Sequence, residues 1–156
     1  MTRIIMHGCN GKMGQVISGL LAADQEAEIV AGVDAFDDGH NAYPVFKKLE
    51  ECKVDADCII DFSAAAAVDG LLDYCEERKI PCVLCTTGLS PEQLERVREV
   101  SEKVAILRSA NMSIGINLLQ QILKKAADVL APAGFDIEII EKHHNLKVDA
   151  PSGTAL

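Results

Sequence analysis

Near the amino terminus, Gly8-Cys9-Asn10-Gly11-Lys12-Met13-Gly14 stands between an apolar run and an amphipathic stretch. Glycines let the backbone turn sharply and approach a diphosphate, whose charge is stabilised by the free N–H groups and dipole of a following helix. The spacing is G-x-x-G-x-x-G, with Cys9 where the commoner G-x-G-x-x-G has glycine, and by itself it also fits a tight turn that packs helix on strand. Asp34 tips the balance. It closes the second apolar run 20 residues after Gly14, where a carboxylate can accept the hydroxyls of an adenine ribose. The two features together predict a dinucleotide site. Asp34 would repel a 2′-phosphate, and the next residues, Ala35-Phe36-Asp37-Asp38, offer no cation for one. Lys12 beside the turn can reach such a phosphate, so NADH and NADPH both stay open.

A second run, Glu141-Lys142-His143-His144-Asn145-Leu146-Lys147-Val148-Asp149-Ala150-Pro151-Ser152-Gly153-Thr154, places two lysines and two histidines within six residues of an acidic chain. Such a cationic spot suits a small anionic substrate. The plainer reading is a solvated loop with incidental histidines, and a metal site would need more ligands than the run supplies. No metal site is predicted. Ser152-Gly153-Thr154 after Pro151 can open a helix and offer N–H groups to a carboxylate.

The elements that must position these residues are legible in outline. With 156 residues, 49% apolar and 25% charged, the chain reads as one folded domain or one and a piece, not as a disordered, collagen-like or coiled-coil sequence. A net charge of -9 argues against nucleic acid and anionic lipid as partners. The first apolar run is too short for an export signal or membrane span, so a cytoplasmic location and reduced cysteines are expected. Cys82 and Cys85 form a C-x-x-C, but strand alternation sends residues three apart to opposite faces, and both read as core.

Strands are expected at 3–7, 28–33, 58–62, 82–85 and 104–108. Helical faces follow at Met13, Val16, Ile17, Leu20 and Leu21, then at Val68, Leu71, Leu72 and Cys75. Ser90-Pro91-Glu92-Gln93 has the N-cap, proline and capping-box Gln of a helix start. A long helix is expected over about 114–130. This alternation implies a doubly wound parallel sheet over residues 1–130. Phe135, Ile137 and Ile139 alternate with Asp136 and Glu138, predicting a half-exposed strand and a second, α+β unit over 131–156. Twenty-six residues are too few to close that unit, so the chain reads as a fragment.

These stretches resemble the dihydrodipicolinate reductase family, the 4-hydroxy-tetrahydrodipicolinate reductases of the diaminopimelate route to lysine. The resemblance rests on Gly8 to Gly14, Ile60-Asp61-Phe62-Ser63, Thr86-Thr87-Gly88, Ser109-Ala110-Asn111-Met112-Ser113-Ile114-Gly115 and, most specifically, Glu141 to Thr154. It implies a Rossmann-like fold and NAD(P)H-dependent reduction of a small dicarboxylate. His143 would be the proton donor or acceptor and Lys147 its catalytic partner, with His144, Gly153 and Thr154 binding substrate carboxylates. The cofactor would meet Gly8, Cys9, Asn10, Gly11, Lys12, Met13, Asp34, Cys85, Thr86, Thr87, Ser109, Ala110, Asn111 and Met112. An intact member would form a homotetramer. Cys85 departs from the family's glycine and would crowd a nicotinamide; Ala64 to Ala67 replace a usual proline and would extend the next helix upstream. The alternatives are another Rossmann imine or amino acid dehydrogenase and an inactive nucleotide-binding module.

Overall fold

A computed structural model describes residues 1–37, 39–143, 145, 151, 152, 154 and 155. They form two compact units, Met1–Ser109 and Ala110–Leu156.

The first unit is built on six parallel strands: β1 Thr2–His7, β2 Ala27–Val33, β3 Val45–Phe46, β4 Cys58–Asp61, β5 Cys82–Leu84 and β6 Ile106–Arg108. Their order is β3-β2-β1-β4-β5-β6, the doubly wound arrangement in which the winding reverses beside the first strand. Ile4, Ile5 and Met6 of β1 are all buried, as a parallel strand covered on both faces requires. Helices α1 Lys12–Leu21, α2 Val68–Arg78 and α3 Pro91–Ser101 complete the unit.

The apolar spacing of α2 is fully used. Val68, Leu71, Leu72 and Cys75 are at most 1% exposed, and each buried leucine of this kind stabilises the fold by about 2 kcal/mol. The alanines before it extend the element as one 3₁₀ turn, Ala65–Ala67, rather than as α-helix. Helix α3 starts as its sequence predicts: Ser90 accepts from the Gln93 N–H, the Gln93 side chain accepts from the Ser90 N–H, and Pro91 opens the first turn. Helix α1 forms where expected, yet its stripe is only partly covered, with Ile17 and Leu21 half-buried. Met13 is 45%, Val16 53% and Leu20 70% exposed, and in this helix Gly14 is the buried residue. Periodicity reports which face is apolar, not whether a neighbour covers it.

In the second unit α4 spans Ile114–Leu130 and is capped by Ser113, which accepts from the Ile116 N–H at 3.4 Å. This helix lies in the second compact unit, which begins at Ala110. The half-exposed strand expected over 135–139 is not formed: the segment is irregular, and Phe135, Ile137 and Ile139 are exposed. A strand is defined by the chain it pairs with, and no described residue pairs with these.

Candidate functional site

The glycine turn leaves β1 under close steric control. Gly8 has φ +79°, and a Cβ there would lie 2.6 Å from the Phe62 carbonyl oxygen; at Gly14 it would lie 2.2 Å from the Gly8 oxygen. Neither position admits a side chain. Cys9 occupies the remaining place of the motif by turning inward, where it is fully buried. Room for it comes from Gly32 of β2, at which a Cβ would meet the Cys9 Sγ at 2.6 Å. The substitution in the motif is thus matched by a missing side chain on the neighbouring strand. Burial, reinforced by Asp34, pushes the Cys9 thiol up to about 11.

The turn is tied to the end of β2. Asp34 Oδ2 accepts from the Asn10 N–H at 3.0 Å and Oδ1 from the Phe36 N–H at 3.1 Å, while Asn10 Nδ2 donates to the Phe36 carbonyl. Gln15 and Asn41 brace the turn from outside by donating to the Cys9 oxygen at 2.9 Å and to Asn10 Oδ1 at 2.7 Å. Sequence spacing brings Asp34 to the turn correctly but does not reveal that its carboxylate also holds the turn's backbone. Lys12 and Met13 are exposed in the first turn of α1. That helix starts at Gly11 with no side-chain cap and no acid in its first turn, unlike the serine-capped α3 and α4. Its leading N–H groups are therefore left for an anion.

Beside this turn a cleft of about 350 Å³ opens at the carboxyl ends of the strands, lined by His7, Gly8, Gly11, Val33, Asp34, Lys47, Phe62 and Ser63 among others. A larger hollow of about 600 Å³ lies between α2 and α3, lined by Ala65, Asp69, Asp73, Gln93 and Arg96; it is an open groove between helices and holds none of the expected site residues.

Beneath the cleft is a buried polar cluster of His7, Asp61 and Thr86, in which the sequence assigned a role, cofactor contact, to Thr86 alone. His7 Nδ1 lies 2.8 Å from Asp61 Oδ1, and the Thr86 hydroxyl donates to Asp61 Oδ2 at 2.6 Å. Burial pushes the Asp61 carboxyl up, but His7, Ser63 and Thr86 more than offset it, and the group ends below its ordinary value. A carboxylate or imidazole closing an otherwise apolar strand was the available signal. Cys85, next to Thr86, is 5% exposed, and burial together with Asp61 pushes its thiol up to about 11. It is a neutral core thiol. Cys82 is likewise buried and pushed up by its contact with Cys75. Thr87 is exposed, and Ser109 donates its N–H to the Leu84 oxygen at 3.1 Å.

In the second unit, Ala110 and Met112 are exposed and Asn111 Nδ2 donates to Thr154 Oγ1 at 2.9 Å. Glu141 accepts from the Ser152 N–H at 3.0 Å, and its other oxygen lies 3.6 Å from His143 Nδ1. Ser152 in turn accepts from the Ala155 N–H. Three expected site residues, His144, Lys147 and Gly153, lie outside the described residues. Among the described residues no group of three or more His, Cys, Asp or Glu is arranged to hold a metal ion.

A parallel sheet in this order, with a glycine turn at the reversal and an acid closing the second strand, places the first unit in the Rossmann-like class. Two family models cover nearly the whole chain: "Dihydrodipicolinate reductase, N-terminus" matches residues 2–112 and "Dihydrodipicolinate reductase, C-terminus" residues 115–156. The chain belongs to the dihydrodipicolinate reductase family. It is 53% identical to the 4-hydroxy-tetrahydrodipicolinate reductase of Clostridium novyi and 54% to that of Caldanaerobacter subterraneus, in each case over 100% of this chain. It spans 62% and 61% of those relatives' own lengths. A dipicolinate-bound dihydrodipicolinate reductase from Paenisporosarcina superimposes with a TM-score of 0.78 at 32% identity, covering 99% of this chain and 63% of that one.

Proposed function

We propose that this chain carries the cofactor-binding and proton-transfer residues of a 4-hydroxy-tetrahydrodipicolinate reductase, an NAD(P)H-dependent oxidoreductase of lysine biosynthesis. The observation that carries the reading is the match of both halves of the chain to one family, together with an uncapped glycine-led helix tied to Asp34. In this reading residues 8 to 13, Asp34, Cys85 to Thr87 and Ser109 to Met112 hold the dinucleotide. When bound, the nicotinamide supplies a hydride to a conjugated carbon–nitrogen system bearing two carboxylates.

The chain's own residues complete the reaction. The reduced, electron-rich species needs a proton from a group that titrates near neutrality, which is the ordinary range of an imidazole. His143 fills that role, with the Glu141 carboxylate 3.6 Å from its Nδ1. The Lys147 ammonium stabilises the substrate carboxylate and the charge that develops in the transition state. His144, Gly153 and Thr154 hold the carboxylates. Among the described residues no helix is long and apolar enough to cross a membrane; the reading places the reductase in the cytoplasm, and as a homotetramer at the length of its relatives.

The test is steady-state oxidation of NADH by the chain with freshly generated substrate, alongside calorimetric NADH and NADPH titrations, since the sequence has no Trp for indole quenching. Lys147→Ala is expected to lower turnover by about 100-fold or more while NADH affinity changes less than threefold. Equal losses would remove Lys147 from the chemistry, and NADH binding without turnover in the unaltered chain would leave a nucleotide-binding module.

A further inference from the structure

Four polar residues are buried among the described residues: His7, Asp61, Thr86 and Ser152. The first three form one cluster, and its place in the sheet is specific. His7 ends β1, Asp61 ends β4 and Thr86 follows β5, so the cluster spans the carboxyl ends of three adjacent strands. Ligands of open α/β sheets bind at that edge.

Asp61 touches all three strand exits, by hydrogen bonds at β4 and β5 and by close approach of His7 at β1. Its Oδ1 lies 2.8 Å from His7 Nδ1 and accepts from the Ser63 N–H, its Oδ2 accepts from the Thr86 hydroxyl, and its carbonyl oxygen accepts from the Cys85 N–H at 2.9 Å. Gly8, where the diphosphate turn begins, directly follows His7. Packing alone is served at less cost by apolar side chains than by a fully buried carboxylate. The Thr86 hydroxyl has only one proton, and Asp61 receives it, so Thr86 offers a ligand its lone pairs and backbone but no O–H donor.

We propose that Asp61 is a positioning residue that clamps the loop after β5 in register with the glycine turn after β1, so that one rigid edge presents both halves of the dinucleotide site. The proposal rests on the reading of the first unit as a dinucleotide-binding domain. It assigns Asp61 no contact with the cofactor. The loop after β5 serves the nicotinamide half, whereas the turn and Asp34 serve the adenosine diphosphate half.

Calorimetric titration with NADH and with ADP-ribose separates the halves. In the unaltered chain NADH should bind more tightly than ADP-ribose. Asp61→Asn keeps the shape but turns a donor toward the Ser63 N–H or removes the acceptor for Thr86; it should weaken NADH binding by about tenfold and ADP-ribose binding by less than about threefold. Thr86→Val should weaken NADH to a similar extent, and Thr86→Ser, which restores the hydroxyl, should recover it. The proposal is overturned if both ligands weaken equally in Asp61→Asn, if Thr86→Val binds NADH normally, or if NADH and ADP-ribose bind the unaltered chain equally. An unaltered chain that binds neither ligand overturns the dinucleotide reading itself. Should Asp61→Asn fail to fold, the Thr86 pair decides the matter alone.

Discussion

A methyl group at position 14 would stand 2.2 Å from the Gly8 oxygen and 2.5 Å from the Cys9 oxygen, while one at position 19 of the same helix would meet nothing within 4 Å. Identical substitutions should therefore have opposite signs. Gly14→Ala is expected to destabilise the chain by about 3 kcal/mol or more, because backbone atoms cannot yield cheaply. Gly19→Ala is expected to stabilise it by about 0.5–1 kcal/mol through helix propensity alone. Urea unfolding of the two variants checks both values. The same residues mark the reach of sequence reading. The turn and Asp34 were legible because glycine and carboxylate requirements are local, and their spacing is a property of one strand–helix–strand unit. That Cys9 fits only because Gly32 leaves space could not be read, since the complement lies on another strand.

At the scale of elements, the best-signalled feature is the start of α3. Ser90→Ala removes the acceptor for the Gln93 N–H and should cost about 1 kcal/mol, measured by thermal or urea unfolding. A second prediction concerns the entry to β1. Asp57 accepts from the Arg3 N–H and lies 2.9 Å from its guanidinium, and these contacts hold the Asp57 carboxyl down at about 2 against an ordinary 3.8. Its pKa is depressed by folding, so its stabilising contribution is complete above about pH 4 and is lost as pH falls towards 2. Asp57→Asn should flatten that part of the pH–stability profile, and a variant profile as steep as the unaltered one would exclude the pair as its source. Elements were legible where their own residues bury the pattern, as in α2. The alternation at 135–139 shows the opposite case: it marks one face apolar but supplies no strand to pair with.

For the molecule as a whole, the buried apolar cluster runs from Ile5 to Val104 and so lies within the first unit. A chain ending at Ser109 is accordingly expected to keep the six-stranded sheet and to unfold cooperatively, with circular dichroism as the measure. The second unit carries large apolar side chains in solvent, Leu118, Leu119, Ile122 and Leu123 among them, each about half exposed or more. Such a surface binds hydrophobic dyes. The shorter chain should show markedly less anilinonaphthalene sulfonate fluorescence than the full 156 residues, and equal fluorescence would place the dye elsewhere.

By itself the sequence determined the strand–helix alternation, the glycine turn with its acid, the start of α3 and the span of α4, because each depends on residues near in the chain. Tertiary structure alone decided that three strand ends converge on Asp61, that Cys9 is matched by Gly32, and that the stripe of α1 is covered only in part while that of α4 stays exposed. Those outcomes depend on which distant segments meet, and hydrophobic period, capping and turn chemistry do not specify that.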